Sequence, residues 1–193
     1  MSNPESRTEG PLKKRSLVLH MMPKNSICAE VGVHRGKFST RILDIVQPRR
    51  LHLIDPWKHE TTELYGKALY GGRVPGGQPE MDARFASVCS RFQLEISRGQ
   101  VVIHRGPSSE VLGEFPDNYF DWVYIDGNHL YEFVRQDLEL SYQKVKPGGY
   151  ITGDDYSPGG WWQGGVMRAV DEFVQEYKFQ SIDIRYCQYI LLK

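Results

Sequence analysis

Short apolar runs alternate with amphipathic stretches along nearly the whole chain, and no other feature restricts its fold so sharply. Residues 26–33 form an apolar run closing around a glycine, and 36–46 follow with Phe38, Ile42, Leu43 and Val46 at helical spacing. Residues 51–56 read as a second strand ended by proline. Residues 81–96 read as a helix with Phe85, Val88, Phe92 and Leu94 as its apolar positions, 101–104 as a strand and 108–115 as a short helix. The second half repeats the rhythm. Strand 120–125 is followed by a helix carrying Leu130, Val134, Leu138 and Val145, which stops before Pro147-Gly148-Gly149. Strand 150–152 then precedes a helix with Val166, Ala169, Val170, Phe173, Val174 and Tyr177 on one face. Residues 182–193 have the composition of two strands around a tight turn. Each crossover helix must lay its apolar stripe back on the sheet, so such repetition predicts a doubly wound α/β fold with helices on both faces. Five βα units and a terminal pair make about seven strands.

A length of 193 residues suits one domain, assigned to 16–193, with 1–15 as a disordered or loosely packed lead-in. Residues 57–80 interrupt the rhythm with Gly66, Gly71, Gly72, Gly76 and Gly77. Such an insertion at the carboxyl end of a strand reads as a lid over a ligand or as a loose loop. Lys+Arg and Asp+Glu are 24 each, and Lys13-Lys14-Arg15 is the densest basic cluster, so nucleic acid is not an expected partner. No apolar run approaches the ~20 residues that span a bilayer, and residues 1–10 lack a signal-peptide core, so a cytoplasmic protein is expected. Cys28, Cys89 and Cys187 are odd in number and far apart, which suggests reduced, mostly buried thiols rather than disulfides or a zinc site.

The chemistry begins at Glu30-Val31-Gly32-Val33-His34-Arg35-Gly36, the junction of the first strand and helix. Glycine there lets the backbone turn sharply and approach a ligand. The spacing E-x-G-x-x-x-G is a poor fit to a pyrophosphate loop, because a carboxylate repels phosphate and suits a cationic or amine-bearing ligand. Two glycines fit a plain tight turn equally well. Asp55, closing the second strand about twenty residues on, is placed to accept hydrogen bonds from ribose hydroxyls. Capping a turn before Pro56 is its structural alternative. Gly106-Pro107-Ser108-Ser109 ends the third strand, where a serine can cap the next helix or face an adenine ring.

Asp126-Gly127-Asn128-His129 ends the fourth strand and Gly153-Asp154-Asp155 the fifth. Neighbouring strand ends would gather Asp126, Asp154 and Asp155, which repel one another unless a cation or protons intervene. Oxygen ligation favours Mg²⁺, Ca²⁺ or Mn²⁺ over zinc. The alternative is that Asp154 caps a loop and Asp126 is solvated.

These residues resemble the class I S-adenosylmethionine-dependent methyltransferases from about residue 24 to 193. The resemblance rests on Glu30-x-Gly32-x-x-x-Gly36, Asp55 and Lys146-Pro147-Gly148-Gly149. Residues 125–132 with Gly153-Asp154-Asp155 are similar to the branch of small-molecule O-methyltransferases with a divalent metal, to which macrolide sugar and catechol O-methyltransferases belong. The resemblance implies a Rossmann-like seven-stranded sheet whose last strand is antiparallel. It implies that Glu30, Gly32 and Gly36 flank the methionine part of S-adenosylmethionine, Asp55 binds the ribose, and Gly106, Ser108 and Ser109 lie by the adenine, with Trp57 and Asp126 also at the cofactor. Asp126, Asp154 and Asp155 would be the metal ligands, with Mg²⁺ the expected ion.

On that reading the acceptor is a small hydroxylated molecule, with His129 as general base beside Asp126, since imidazole titrates near neutral pH. A histidine that only hydrogen-bonds its loop is the alternative, and His59 is a second candidate base. The chain is short beside the catechol type and lacks its long N-terminal helical segment. The acceptor pocket is therefore expected from residues 57–80 and 156–165, including Trp161 and Trp162. Other readings are a metal-independent methyltransferase, a non-catalytic cofactor-binding module and, less suited to Glu30, a nicotinamide-dependent oxidoreductase. Oligomeric state, a homo-oligomer included, is left open.

Overall fold

The computed structural model describes residues 15–179 and 182–193. Seven strands form one sheet: β1 (Ile27–Val31), β2 (Arg50–Asp55), β3 (Val101–Arg105), β4 (Phe120–Ile125), β5 (Val145–Gly153), β6 (Asp183–Arg185) and β7 (Gln188–Leu192). Their order is β3-β2-β1-β4-β5-β7-β6. The first five run parallel, whereas β7 is antiparallel to both β5 and β6. This is the Rossmann-like doubly wound sheet that the alternation predicts. Among the described residues six α-helices flank it: α1 (Lys37–Val46), α2 (Gly77–Arg91), α3 (Gln93–Ser97), α4 (Ser108–Gly113), α5 (Tyr131–Lys144) and α6 (Gly165–Glu176).

Alternating side chains of β4 feed two cores, as the period of a strand requires. Trp122 and Tyr124 join Phe38, Ile42, Trp57, Met81 and Val88 on one face. Val123 and Ile125 join Val134, Leu138, Val170 and Phe173 on the other. Chain direction across the sheet reverses between β1 and β4, and the crevice at their carboxyl ends is where a ligand binds in such folds.

Several elements differ from the sequence reading. The helix expected over 81–96 starts earlier and is broken at Phe92, whose backbone leaves helical geometry (φ −104°, ψ 19°) as its ring becomes buried. The helix carrying Leu138 stops at Lys144, because Val145 already pairs with Phe120 and is fully buried. The register then jumps to Trp122 opposite Tyr150, so an irregularity in β5 absorbs Pro147-Gly148-Gly149. Residues 1–14 of the expected lead-in lie outside the described residues. From Ser16 to Met21 the chain forms a 3-10 helix with Val18 and Leu19 buried, which no periodicity announces. Tyr186 and Cys187 make the tight turn between β6 and β7, both left-handed (φ 52° and 66°) as a two-residue hairpin loop demands. That turn exposes Cys187, while Cys28 is buried and Cys89 half-buried, so the expectation of mostly buried thiols fails at the hairpin.

Candidate active site

The turn after β1 is built around Gly32, in the left-handed region at φ +88°. A Cβ there would overlap the backbone carbonyl of Asp126, so glycine is what allows the ends of β1 and β4 to close together. Asp55 ties the same turn from β2. One carboxylate oxygen accepts from the Val33 and His34 backbone N–H groups (2.8 and 2.9 Å) and from the Tyr70 hydroxyl. The other accepts from the Trp57 N–H at 2.7 Å. Asp55 is fully buried, and burial pushes its pKa up against these donors. It anchors the glycine turn, with Tyr70 of the 57–80 segment on the same oxygen. Glu30 is also buried and hydrogen-bonded by Ser39. Its desolvation outweighs that bond and the charge of Arg15, and raises its pKa to about 8.

Beside this turn, Asp126, His129 and Asp155 converge, with ligand atoms within 4.8 Å of one another. His129 Nε2 meets Asp155 Oδ2 at hydrogen-bond distance and lies 3.8 Å from Asp126 Oδ1. Burial works against a charged imidazole here, but the Asp155 bond and both carboxylates prevail and raise its pKa. Asp155 takes a left-handed backbone (φ 59°), as do His34 and Trp57 at the same edge, a local strain often found where side chains are aimed for function.

Asp154 does not join that group. Its Oδ2 lies 3.1 Å from Nε of Arg15, whose Nη2 donates to Asp126 Oδ2. Arg15 Nε also donates to the Tyr124 hydroxyl at 2.8 Å, and the guanidinium lies 4.3 Å from the Phe38 ring centre. Burial disfavours its charge, but Asp126, Tyr124 and Asp154 together hold it protonated. Burial likewise raises Asp126, against Arg15 and His129, and takes Asp154 to about 6. The observed polar centre is thus two carboxylates and an imidazole, with Arg15 bridging Asp126 and the third carboxylate.

Comparison with known proteins identifies the frame that carries these residues. A family model described as a methyltransferase domain matches residues 29–156, two thirds of the chain. The chain belongs to the methyltransferase domain family. Uncharacterized protein R132 of Acanthamoeba polyphaga mimivirus is 40% identical over 80 residues, covering 37% of this chain and 35% of that protein. The chain therefore matches about a third of the length of this curated relative. Among solved structures, a calicheamicin methyltransferase, CalS11, has a TM-score of 0.64 at 19% identity, covering 98% of this chain and 80% of that one. The O-methyltransferase NovP has a TM-score of 0.60 at 22% identity over 97% of this chain and 79% of its own. A putative caffeoyl-CoA O-methyltransferase from Staphylococcus aureus reaches 0.62 at 14% identity, covering all of this chain and 85% of its own. At these identities the structures share the fold.

This methyltransferase domain places its remaining candidate residues unevenly. Gly36 begins α1 at φ +68°. Trp57 is wholly buried, with its indole N–H on the His34 carbonyl (2.9 Å), so it packs beneath the turn rather than facing the crevice. Neither serine caps α4: Pro107 holds the cap position without a side-chain bond, and Ser108 instead hydrogen-bonds the buried Asp137. Gly106 follows β3, its N–H on the Asp55 carbonyl at 3.1 Å, and Ser109 sits in the first turn of α4. His59 is held in the 57–80 segment, its backbone N–H on Gln78 at 2.9 Å, and is not among the three converging residues. That segment is folded, with Ala68 and Val74 buried. It reaches the crevice through Tyr70 and through Tyr65, whose hydroxyl accepts from Asn128 at 2.8 Å. The His129 ring lies 4.7 Å from Trp162 and 6.0 Å from Trp161, and Tyr65 packs edge-on to Trp161 at 5.4 Å. Arg15 and Tyr70 are the participants the sequence reading missed. Neither stands in a motif, and distance along the chain hides their partners. Among the described residues no helix is long and apolar enough to cross a membrane.

Proposed function

We propose that this methyltransferase transfers the methyl group of S-adenosylmethionine to a hydroxyl oxygen of a small acceptor, with His129 taking the hydroxyl proton and a divalent cation assisting. The observation that carries the reading is the convergence of Asp126, His129 and Asp155 at the β1/β4 crevice. The donor set suits a hard or borderline divalent ion: carboxylates favour Mg²⁺ or Mn²⁺, and an imidazole within reach tilts the preference towards Mn²⁺. Asp126 and Asp155 would hold it, with Asp154 as a third carboxylate. A cation bound there supplies charge that lowers the pKa of an acceptor hydroxyl. S-adenosylmethionine supplies an electrophilic methyl on a sulfonium, a cation matched by the acidic edge and the rings of Phe38 and Tyr124.

The chain's own residues do the rest. Asp155 orients the His129 ring through their hydrogen bond. Trp161 and Trp162 pack beside the His129 ring, and Tyr65 of the 57–80 segment packs on Trp161. Together they shield the acceptor oxygen from water and present flat apolar surface to a ring or sugar face. The test is methyl transfer from labelled S-adenosylmethionine to a panel of phenols, catechols and sugars. His129→Ala is expected to cut turnover by about 10²–10⁴. Absence of S-adenosylmethionine binding in calorimetry removes the reading altogether. The pairing of Arg15 with Asp126 and Asp154 supports a second reading without metal, since the guanidinium already balances these charges. That version predicts turnover indifferent to a chelator.

A further inference from the structure

We infer that Arg15 is a built-in competitor for the cation site: its guanidinium and a divalent ion exclude one another at Asp126 and Asp154. The inference rests on the proposed cation at these carboxylates. Arg15 engages two of the three acidic residues, Asp126 through Nη2 and Asp154 through Nε, and Tyr124 through its hydroxyl. These are not loose surface pairs, since the side chains of Arg15, Asp126 and Asp154 are only 22%, 17% and 19% exposed. The Phe38 and Tyr124 rings face the guanidinium at 4.3 and 5.1 Å, an environment that accepts a flat, weakly hydrated cation. Asp126 and Asp154 also line a cavity of about 10 Å³ together with His129 and Tyr189, about one water's worth of room. The Tyr189 hydroxyl is completely buried and has no hydrogen-bond partner among the described residues, so one polar group there awaits whatever enters.

With Arg15 in place, Asp126 Oδ2 and Asp154 Oδ2 are already engaged by its guanidinium. Two positive charges sharing Asp126 in partly buried surroundings repel strongly. Withdrawal of Arg15 frees both oxygens for a divalent ion. The 3-10 helix that follows is anchored by Val18 and Leu19 in the core, while Leu17 and Met21 stay exposed, so the exchange requires the Arg15 side chain and the chain before Ser16 to move. The sequence therefore carries, just before the domain's first strand, a residue that sets cation affinity and couples it to the position of the N-terminal segment.

The experiment titrates Mn²⁺ alone into the full chain by calorimetry, for wild type, Arg15→Gln, Arg15→Lys and Tyr124→Phe. Arg15→Gln is expected to bind at least about tenfold more tightly than wild type, within the usual range of coupling between two sites. A wild type with no measurable binding beside an Arg15→Gln that binds is the extreme of the same result. Arg15→Lys keeps the competing charge and should stay near wild type, and Tyr124→Phe, which removes one hydrogen bond to Arg15, should fall between. Mn²⁺ should also speed tryptic cleavage of the wild-type Arg15–Ser16 bond, read by mass spectrometry. If Arg15→Gln does not fold, Tyr124→Phe and the tryptic readout decide. Equal Mn²⁺ affinity in wild type and Arg15→Gln keeps the cation site and overturns the competition. Absence of Mn²⁺ binding in all four proteins removes the cation reading, and the competition with it.

Discussion

Replacing Gly32 by alanine tests whether this glycine serves the fold or only a ligand. At φ +88° an alanine is strained, by about 1–2 kcal/mol from the left-handed backbone alone. Its Cβ would also overlap the Asp126 carbonyl and stand 2.7 Å from the Gly127 nitrogen, both backbone atoms that no rotamer change can move aside. Relief requires parting the ends of β1 and β4, at the expense of the Asp126 N–H to Val31 carbonyl bond (2.7 Å) and the Gly32 N–H to Ile54 carbonyl bond (2.9 Å). At about 1 kcal/mol per bond, the total is about 3–4 kcal/mol, towards the severe end for single substitutions. For a domain of this size that is a fall of roughly 10 °C in Tm. Gly36→Ala is the control. It has φ +68°, but its Cβ would press 2.9 Å from the edge of the Phe92 ring, a side chain that can yield, so about 1–2 kcal/mol is expected. Urea denaturation of both variants measures the difference. The reasoning fails if Gly32→Ala stays within about 1 kcal/mol of wild type or costs no more than Gly36→Ala.

Three further outcomes follow from the buried polar groups. Asp55→Asn turns an amide towards backbone donors and should cost about 2–4 kcal/mol in denaturant unfolding, more than a loss of ligand binding alone would produce. His52, stacked on His104 with their ring nitrogens 2.9 Å apart, has its pKa lowered by burial, then by His104, to about 4. A base held neutral in the fold stabilises it fully above its ordinary value of 6.5, and that stability drains away as pH falls towards 4. His52→Phe should therefore show a shallower loss of stability than wild type between these pH values, and an unchanged slope would refute the assignment. Glu30 runs the other way: folding raises its pKa from 4.5 to about 8, so its contribution is whole below 4.5 and lost as pH climbs through 8. Glu30→Gln should gain stability relative to wild type across that window, measured by thermal melts at pH 5, 7 and 9.

Most of the sheet was legible because apolar periodicity reports which residues face a core, and both faces of this sheet are covered. β4 appears at its full expected bounds for that reason. β5 was shortened in the reading because Pro147-Gly148-Gly149 looks like a break, whereas a register irregularity between Phe120 and Trp122 accommodates it inside the strand. The 3-10 helix from Ser16 to Met21 went unseen, since six residues carry too little periodicity to register. At the site, Glu30, Gly32, Asp55 and the acidic strand ends stood out by their positions after strands. Their partners did not: Asp55 is satisfied by Tyr70, fifteen residues on, and Asp126 by Arg15, 111 positions away.

The local sequence by itself determined the element order, the glycine needed after β1 and the gathering of carboxylates at one edge, because each depends on side-chain spacing along a strand or turn. The tertiary structure alone decided how those carboxylates divide. Asp155 pairs with His129, Asp154 with Arg15, and Asp126 stands between them, bonded to Arg15 and 3.8 Å from His129, because hydrogen bonds and charge pairs are settled by distance in space, to which separation along the chain is indifferent.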